Sequence, residues 1–134
     1  MLHENVEIVR AHYASFSRLS ERDEIHAHVL GYYDPNCEYR PVEEIDAVCG
    51  HEAMMEWIAR WLDAWNSFRI DVGEIIDGGE LVVAEASTSG RGRTSGAEIH
   101  QRFFHVFEMR EGRILRQGEY LTRSLALEAA GLSE

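Results

Sequence analysis

Residues 97–121 read AEIHQRFFHVFEMREGRILRQGEYL. Apolar and polar side chains alternate over most of this stretch, and a period of two predicts β-strands at residues 97–109 and 114–121. The segment Arg110-Glu111-Gly112-Arg113 between them is typical of a tight turn. Because a tight turn joins antiparallel neighbours, the stretch predicts a β-hairpin.

The alternation sorts the first of these strands into two faces. One face is mostly apolar and is predicted to point into the core: Ala97, Ile99, Gln101, Phe103, His105, Phe107 and Met109. The other face is mostly polar and is predicted to point outward. His105 is therefore a polar group on an apolar wall. On the second strand, Gln117 and Glu119 are predicted to face inward with Leu115 and Leu121, although the contrast there is weaker.

Similar patterns cover the rest of the chain. Residues 68–76 and 81–88 also read as strands, joined by the hairpin signal Asp77-Gly78-Gly79. The other predicted elements are a helix capped by Asn5, a helix that starts at residues 20–23 and stops at Gly31, a strand at residues 37–42 after a break at Asp34-Pro35, a helix at residues 51–66 and a short helix at residues 123–130. Helices followed by an antiparallel meander predict an α+β fold, in one domain spanning residues 1–134.

Three tryptophans lie four residues apart in the third predicted helix. Trp57, Trp61 and Trp65 share one face with Met54 and Ile58. Such a stripe is typical of core packing, and one or more of its members can also form the wall of a pocket.

Composition argues against several classes of partner. The chain has 134 residues, of which 45% are hydrophobic, and a formal net charge of −11. Phosphate backbones and anionic headgroups repel so acidic a chain, so we expect neither a nucleic-acid nor a membrane partner. The chain has no membrane-length apolar run, and its N-terminus lacks the pattern of a signal peptide, which favours the cytoplasm.

The chain offers no clear metal or cofactor motif. Cys37 and Cys49 form neither a ligand pair nor a disulfide framework. His100 and His105 have opposite parity on one strand, and Gly90-x-Gly92 is not followed by a helix, as a phosphate-binding loop would be. We therefore expect no metal and no cofactor.

Several short motifs, taken in order, resemble the NTF2-like superfamily and in particular its SnoaL-like branch. They are Tyr33-Asp34-Pro35, Gly50-His51-Glu52-Ala53, Ile76-Asp77-Gly78-Gly79, Arg93-Thr94-Ser95-Gly96, Glu111-Gly112-Arg113-Ile114, and Tyr120-Leu121-Thr122-Arg123 with the tail that follows. The resemblance implies a cone-shaped half-barrel, in which a curved antiparallel sheet wraps the long helix and leaves an apolar cavity. It also implies a small apolar or aromatic ligand for that cavity.

The resemblance also implies candidate site residues. In SnoaL-like polyketide cyclases an acidic residue on the last strand acts as a base, assisted by a histidine on the preceding strand, and the matching positions are Glu119 and His105. Tyr13 occupies about the position of a first-helix tyrosine that lines the family's cavity. This chain carries Glu where the family carries Asp, and the extra methylene moves the carboxylate. Further expected lining residues are Trp57, Trp61, Phe103 and Phe107.

Two classes of function stay open at this point. One is proton-transfer catalysis, such as cyclisation, isomerisation or dehydration. The other is a non-catalytic ligand-binding or protein-interaction module, in which His105 bonds a core neighbour and Glu119 points to solvent. Ketosteroid isomerase chemistry is disfavoured because no Asp follows Asp77 and Arg40 stands where that enzyme's base would be.

The register of the hairpin decides between inward and outward positions for Glu119. If Glu111 and Gly112 form a two-residue turn, the numbers of paired residues sum to about 223, which sets His105 opposite Gly118. Glu119 then faces away from His105 unless a bulge or a longer loop shifts the register.

Two further expectations concern the surface. Phe104 and Val106 are apolar residues on the predicted outward face, and they favour a homodimer formed through that face of the sheet. Ser95 and Gly96 are expected in a connection between strands and outside the site.

Overall fold

The computed structural model describes residues 2–133. Its helices in that range are α1 (Leu2–Phe16), α2 (Arg22–Tyr32), α3 (Gly50–Asp63) and α4 (Arg123–Ala129). Its strands are β1 (Tyr33–Arg40), β2 (Val48–Cys49), β3 (Trp65–Gly78), β4 (Leu81–Gly92), β5 (Glu98–Arg110) and β6 (Arg113–Tyr120). No helix in the described range combines the length and apolar character needed to cross a membrane.

The strands form one open sheet in the order β2-β1-β6-β5-β4-β3. Strands β3 to β6 make the predicted antiparallel meander, and the α+β prediction is confirmed. The sheet is mixed rather than wholly antiparallel, because β1 pairs in parallel with β6. A parallel pair needs a long connection between its strands, and the chain between β1 and β6 includes α3 and the rest of the meander.

The main core lies between the helices and one face of the sheet, which we call the inner face. Val9 of α1, Val29 of α2 and Ile58 of α3 are fully buried against it. Val82 of β4 and Phe107 of β5 are fully buried on the sheet side. The apolar faces of the helices and of the strands therefore pack together in one layer, as an α+β fold requires.

The opposite face, the outer face, carries a second and smaller core. Phe104 and Val106 of β5 are buried there in one cluster with Ala126 and Leu127 of α4. These two β5 side chains do point to the face opposite the main core, as predicted, but they are not exposed there, because α4 packs over this part of the sheet. Phe104 is only 2% exposed, so it offers no apolar surface to a partner.

Two predicted helix signals have other roles. Asn5 does not cap α1, which begins at Leu2; its side-chain amide donates a hydrogen bond to the carbonyl oxygen of Gly79 over 2.8 Å. Gly31 does not stop α2, which continues to Tyr32 and turns directly into β1. For Asn5, a contact with a residue distant in the sequence replaces the local capping role.

Two predicted boundaries also move. Asp34-Pro35 lies within β1 and does not end it, since Pro35 falls in the irregular stretch between Tyr33 and Glu38, where the β1–β6 pairing is interrupted and proline is tolerated. Trp65 begins β3 and is not part of α3, which ends at Asp63. The three evenly spaced tryptophans therefore lie in two elements, Trp57 and Trp61 in α3 and Trp65 in β3.

The β5–β6 hairpin closes through a two-residue turn. Arg110 pairs with Arg113, which leaves Glu111 and Gly112 at the turn. Their φ angles are 50° and 80°. Positive φ at both central residues is the condition for the type I′ turn that joins twisted strands tightly.

A β-bulge then shifts the register of this hairpin. Glu108 pairs with Arg116, so Leu115 is an extra residue on β6. The shift reverses the parity of everything beyond it. His105 consequently pairs with Glu119, and both residues occupy the inner face.

Because α4 packs on the sheet, we predict that alanine substitutions at two leucines of this helix lower the free energy of unfolding unequally. Leu127 is 2% exposed and Leu125 is 51% exposed. We expect Leu127→Ala to lower the free energy of unfolding by about 2–5 kcal/mol, because it leaves a cavity beneath α4. Leu125→Ala is the matched control, and we expect a change of no more than about 0.5 kcal/mol. Urea unfolding measures both, and equal effects would contradict the assignment of an outer core.

Candidate active site

A cavity of about 300 Å³ lies between the inner face of the sheet and helices α1 and α3. Aromatic side chains supply much of its wall, and polar side chains enter from β4, β5 and β6. A cavity of this volume suits a small organic molecule.

His105 and Glu119 face each other at the wall of the cavity. Nε2 of His105 lies 3.1 Å from Oε2 of Glu119. The two side chains are 7% and 17% exposed, so the carboxylate is the more accessible group. The structure therefore brings these two residues into direct contact at a site that a ligand can reach.

Glu119 has two further hydrogen-bond donors. The Tyr39 hydroxyl donates to Oε2 over 3.1 Å, and the backbone amide of Val42 donates to Oε1 over 3.2 Å. Both donors come from β1 and the residues just after it, since the parallel pairing of β1 with β6 sets Tyr39 beside Gln117. Both oxygens of the carboxylate are thereby fixed in position.

His105 also contacts Tyr13 of α1. The Tyr13 hydroxyl oxygen lies 2.7 Å from Nδ1 of His105. A carboxylate can only accept, so Nε2 of His105 carries a hydrogen and donates it to Glu119. In the neutral imidazole, Nδ1 then accepts the hydrogen bond from Tyr13. Tyr13, His105 and Glu119 form a continuous hydrogen-bonded chain.

The surroundings of Glu119 favour its ionised form. Burial raises the pKa of this carboxyl group, but the hydrogen bond and electrostatic interaction with His105, together with the donors Val42 and Tyr39, outweigh burial and hold its pKa below the ordinary value. Burial is the main cause that raises the pKa of Tyr13 and of Tyr39. At neutral pH both phenols therefore keep their protons beside a carboxylate.

The predicted aromatic lining is largely present. Trp57 and Trp61 of α3 and Phe103 of β5 line the cavity, together with Trp65 at the start of β3. Phe107 is not among the lining residues. It is fully buried, and its ring centroid lies 5.6 Å from that of His105.

The cavity wall includes polar groups that the sequence analysis did not single out. Besides Tyr39, these are Tyr33, whose hydroxyl donates to Oε1 of Gln117 over 2.5 Å, and His12 and Thr88, which are both buried. Burial holds the pKa of His12 well below its ordinary value, so its imidazole is neutral. Strand parity assigns Thr88 to the inner face of β4, but no sequence signal predicts that Tyr33 bonds Gln117 or that His12 and Thr88 line the cavity.

Other residues considered from the sequence lie away from the cavity. Ser95 and Gly96 lie in the connection between β4 and β5. Arg40 is exposed and forms an ion pair with Glu38 at 2.6 Å. Within residues 2–133, no three His, Cys, Asp or Glu side chains are grouped so that they could hold a metal ion.

Comparison with protein families identifies one match. The model of the SnoaL-like domain matches residues 6–117. This range includes Tyr13, Tyr39 and His105 and ends just before Glu119. No curated protein gives a significant match.

Solved structures share the fold at low sequence identity. A protein assigned as a SnoaL-like polyketide cyclase from Jannaschia sp. CCS1 is 19% identical, with a TM-score of 0.75 over 96% of this chain and 91% of that chain. TerC, co-crystallised with polyporic acid, is 23% identical, with a TM-score of 0.71 over 94% and 96%. SalBIII, an epoxide hydrolase/cyclase-like enzyme in pyran ring formation in salinomycin, is 17% identical, with a TM-score of 0.75 over 92% and 96%.

The hydrogen bonds of Glu119 predict a pH-dependent contribution to stability. Folding lowers the pKa of Glu119, so the ionised carboxylate stabilises the folded state at pH values above the unfolded-state pKa of glutamate, about 4.3. This stabilisation is lost as the pH falls through the lower pKa of the folded state. We therefore expect Glu119→Gln to be less stable than the wild type at neutral pH, and the gap to narrow as the pH falls below about 4. Urea unfolding at a series of pH values measures the gap. A gap that stays constant down to pH about 3 would contradict the assignment.

Proposed function

This chain belongs to the SnoaL-like domain family, and on that basis we propose that its cavity binds a small apolar or aromatic molecule and that Glu119 transfers a proton of that molecule. The observation that carries the proposal is the hydrogen-bonded chain of Tyr13, His105 and Glu119 at the wall of the cavity. A buried histidine paired with a buried carboxylate is common equipment for general acid–base catalysis.

Glu119 is the proposed base because its carboxylate is ionised and the more accessible partner of the pair. It takes a proton from an activated C–H or O–H group of the ligand, and the bonding electrons remain on the ligand. His105 holds the carboxylate in position and supplies a hydrogen bond as the carboxylate charge changes. Return of the proton to another carbon completes an isomerisation. In a cyclisation the electron pair attacks a carbonyl carbon of the same ligand and the proton goes to that carbonyl oxygen, and in a dehydration the electron pair forms a C=C bond while the proton goes to a departing hydroxyl group, which leaves as water.

The aromatic wall supports the proposed class of ligand. Trp57, Trp61 and Phe103 present flat apolar surfaces on which a ring can stack. The named relatives agree in kind: one is assigned as a polyketide cyclase, one takes part in pyran ring formation and one was crystallised with polyporic acid.

A non-catalytic binding module is the second candidate, and one observation favours it. Both oxygens of Glu119 already accept hydrogen bonds, which hold its pKa below the ordinary value and make it a weaker base. In that case the same polar groups orient a ligand without exchanging protons with it. A measurement of proton exchange distinguishes the two functions.

We predict that the protein accelerates exchange of the acidic C–H protons of β-tetralone in D2O, as followed by NMR. β-Tetralone is a small aromatic ketone that carries acidic protons next to its carbonyl group. We expect Glu119→Gln to reduce the enzymatic rate by about 10²–10⁴-fold, because the base is lost while the shape of the site is kept.

Glu108→Gln is the matched control for this experiment. Glu108 is a glutamate of β5 that pairs with Arg116 at 3.0 Å, away from the cavity. We expect it to leave the exchange rate unchanged. A wild-type protein that binds β-tetralone without exchange would support the binding module, and equal rates for wild type and Glu119→Gln would exclude Glu119 as the base.

Homodimerisation stays a prediction, although the two apolar residues that favoured it are not exposed. Phe104 and Val106 are covered by α4, and the outer face beside them is charged, with Arg102 paired to Glu85 at 3.2 Å. The prediction is that light scattering at micromolar concentration gives twice the chain mass of 15.3 kDa. A single-chain mass would contradict it.

A further inference from the structure

Two further polar side chains lie together on the cavity wall, away from Glu119. Thr88 of β4 and Gln101 of β5 are directly paired across the two strands, and both line the cavity. Thr88 is buried and Gln101 is exposed. The mechanism proposed above uses neither residue.

The sheet register fixes the separation of the two polar groups. His105 pairs with Ala84 on β4 and with Glu119 on β6. The Thr88–Gln101 pair lies four residues further along the same strands, on the same face. At about 3.3 Å per residue the two rows are about 13 Å apart along the strands, and Thr88 and Glu119 are also two strands, or about 10 Å, apart across the sheet. Their backbones are therefore about 16 Å apart, comparable to the length of two linked benzene rings with a polar group and a hydrogen bond at each end.

The wall between the two rows is apolar. Phe103 of β5 lies midway and faces the cavity, and it pairs with Ala86 of β4. Ile70 of β3 also lines the cavity and pairs directly with Thr88 in the far row, and Trp65 lines the cavity beyond that row, where it pairs with Gly92. A ligand that spans this wall meets an apolar centre between two polar ends.

The hydroxyl group of Thr88 has no hydrogen-bond partner among residues 2–133. Its Oγ1 atom is buried, and the residue is only 3% exposed. A buried hydroxyl without a partner destabilises the folded state, and a ligand that pairs with it removes this penalty. Because Thr88 lines the cavity, rotation about its Cα–Cβ bond can turn the hydroxyl toward a ligand oxygen there.

We propose that Thr88, with its cross-strand neighbour Gln101, binds a hydroxyl or carbonyl oxygen at the end of the ligand remote from Glu119. The inference rests on the proposed ligand-binding function and adds to it a ligand class. That ligand is an elongated aromatic molecule with an oxygen at each end. Thr88 accepts or donates one hydrogen bond, and the Gln101 amide can supply another.

A matched pair of probes tests the proposal: para,para′-dihydroxybiphenyl and para-hydroxybiphenyl. The two differ by one terminal hydroxyl group. Quenching of tryptophan fluorescence gives their affinities, since three tryptophans line the cavity. We expect the wild type to bind the dihydroxy probe about threefold to tenfold more tightly, as for one added hydrogen bond.

Variants of Thr88 assign this preference to its hydroxyl group. Thr88→Val keeps the side-chain shape and removes the hydroxyl, so we expect the preference to disappear and the melting temperature to stay the same or rise. Thr88→Ser keeps the hydroxyl and should keep the preference. Ser87→Ala removes a hydroxyl from the neighbouring β4 residue, which does not line the cavity, and should also keep it.

Two outcomes would overturn the proposal. One is equal binding of the two probes to the wild type, including no binding of either; the other is a preference that survives in Thr88→Val. The exchange of β-tetralone distinguishes this failure from failure of the proposed function. Exchange by the wild type and its loss in Glu119→Gln test the proposed function without any change at Thr88, so a failed probe comparison in a wild type that still catalyses exchange overturns only the assignment of Thr88.

Discussion

The position of Glu119 depends on a single extra residue in β6. The tight turn at Glu111-Gly112 alone would pair His105 with Gly118 and turn Glu119 to the outer face. The bulge at Leu115 shifts the pairing by one residue, so His105 faces Glu119 across β5 and β6. The hydrogen bonds of Tyr13, Tyr39 and the Val42 amide all end on this pair. A bulge beside a functional site commonly redirects a side chain in this way.

The parallel pairing of β1 with β6 makes the buried carboxylate tolerable. A carboxylate that loses water is unstable unless donors replace the water. Tyr39 and the Val42 amide supply two donors from one side, and His105 supplies the third from the other. The same donors lower the pKa of Glu119 and fix its orientation. Structural stability and the proposed chemistry therefore depend on the same hydrogen bonds, which is why both are tested by one substitution.

The cavity combines an apolar wall with polar groups at distinct positions along the strands. Where the protein supplies partners, as at Glu119, the polar group is held in place. Where the described residues supply none, as at Thr88, we propose that the hydroxyl pairs with the ligand. In this proposal the first kind of group serves chemistry and the second kind serves recognition. The separation of the two kinds of polar group also sets the length of the proposed ligand and the positions of its polar ends.

Local patterns in the sequence determined the strands of the meander, the amphipathic helices, the α+β class and the inward direction of His105, because side-chain periodicity is a property of neighbouring residues. The resemblance to a family suggested Glu119 and Tyr13. Only the tertiary structure decided that Glu119 faces His105, that Tyr39 joins them and that α4 covers Phe104. Those outcomes depend on a bulge, a parallel pairing and a helix docking, and each is settled by contacts between residues far apart in the chain.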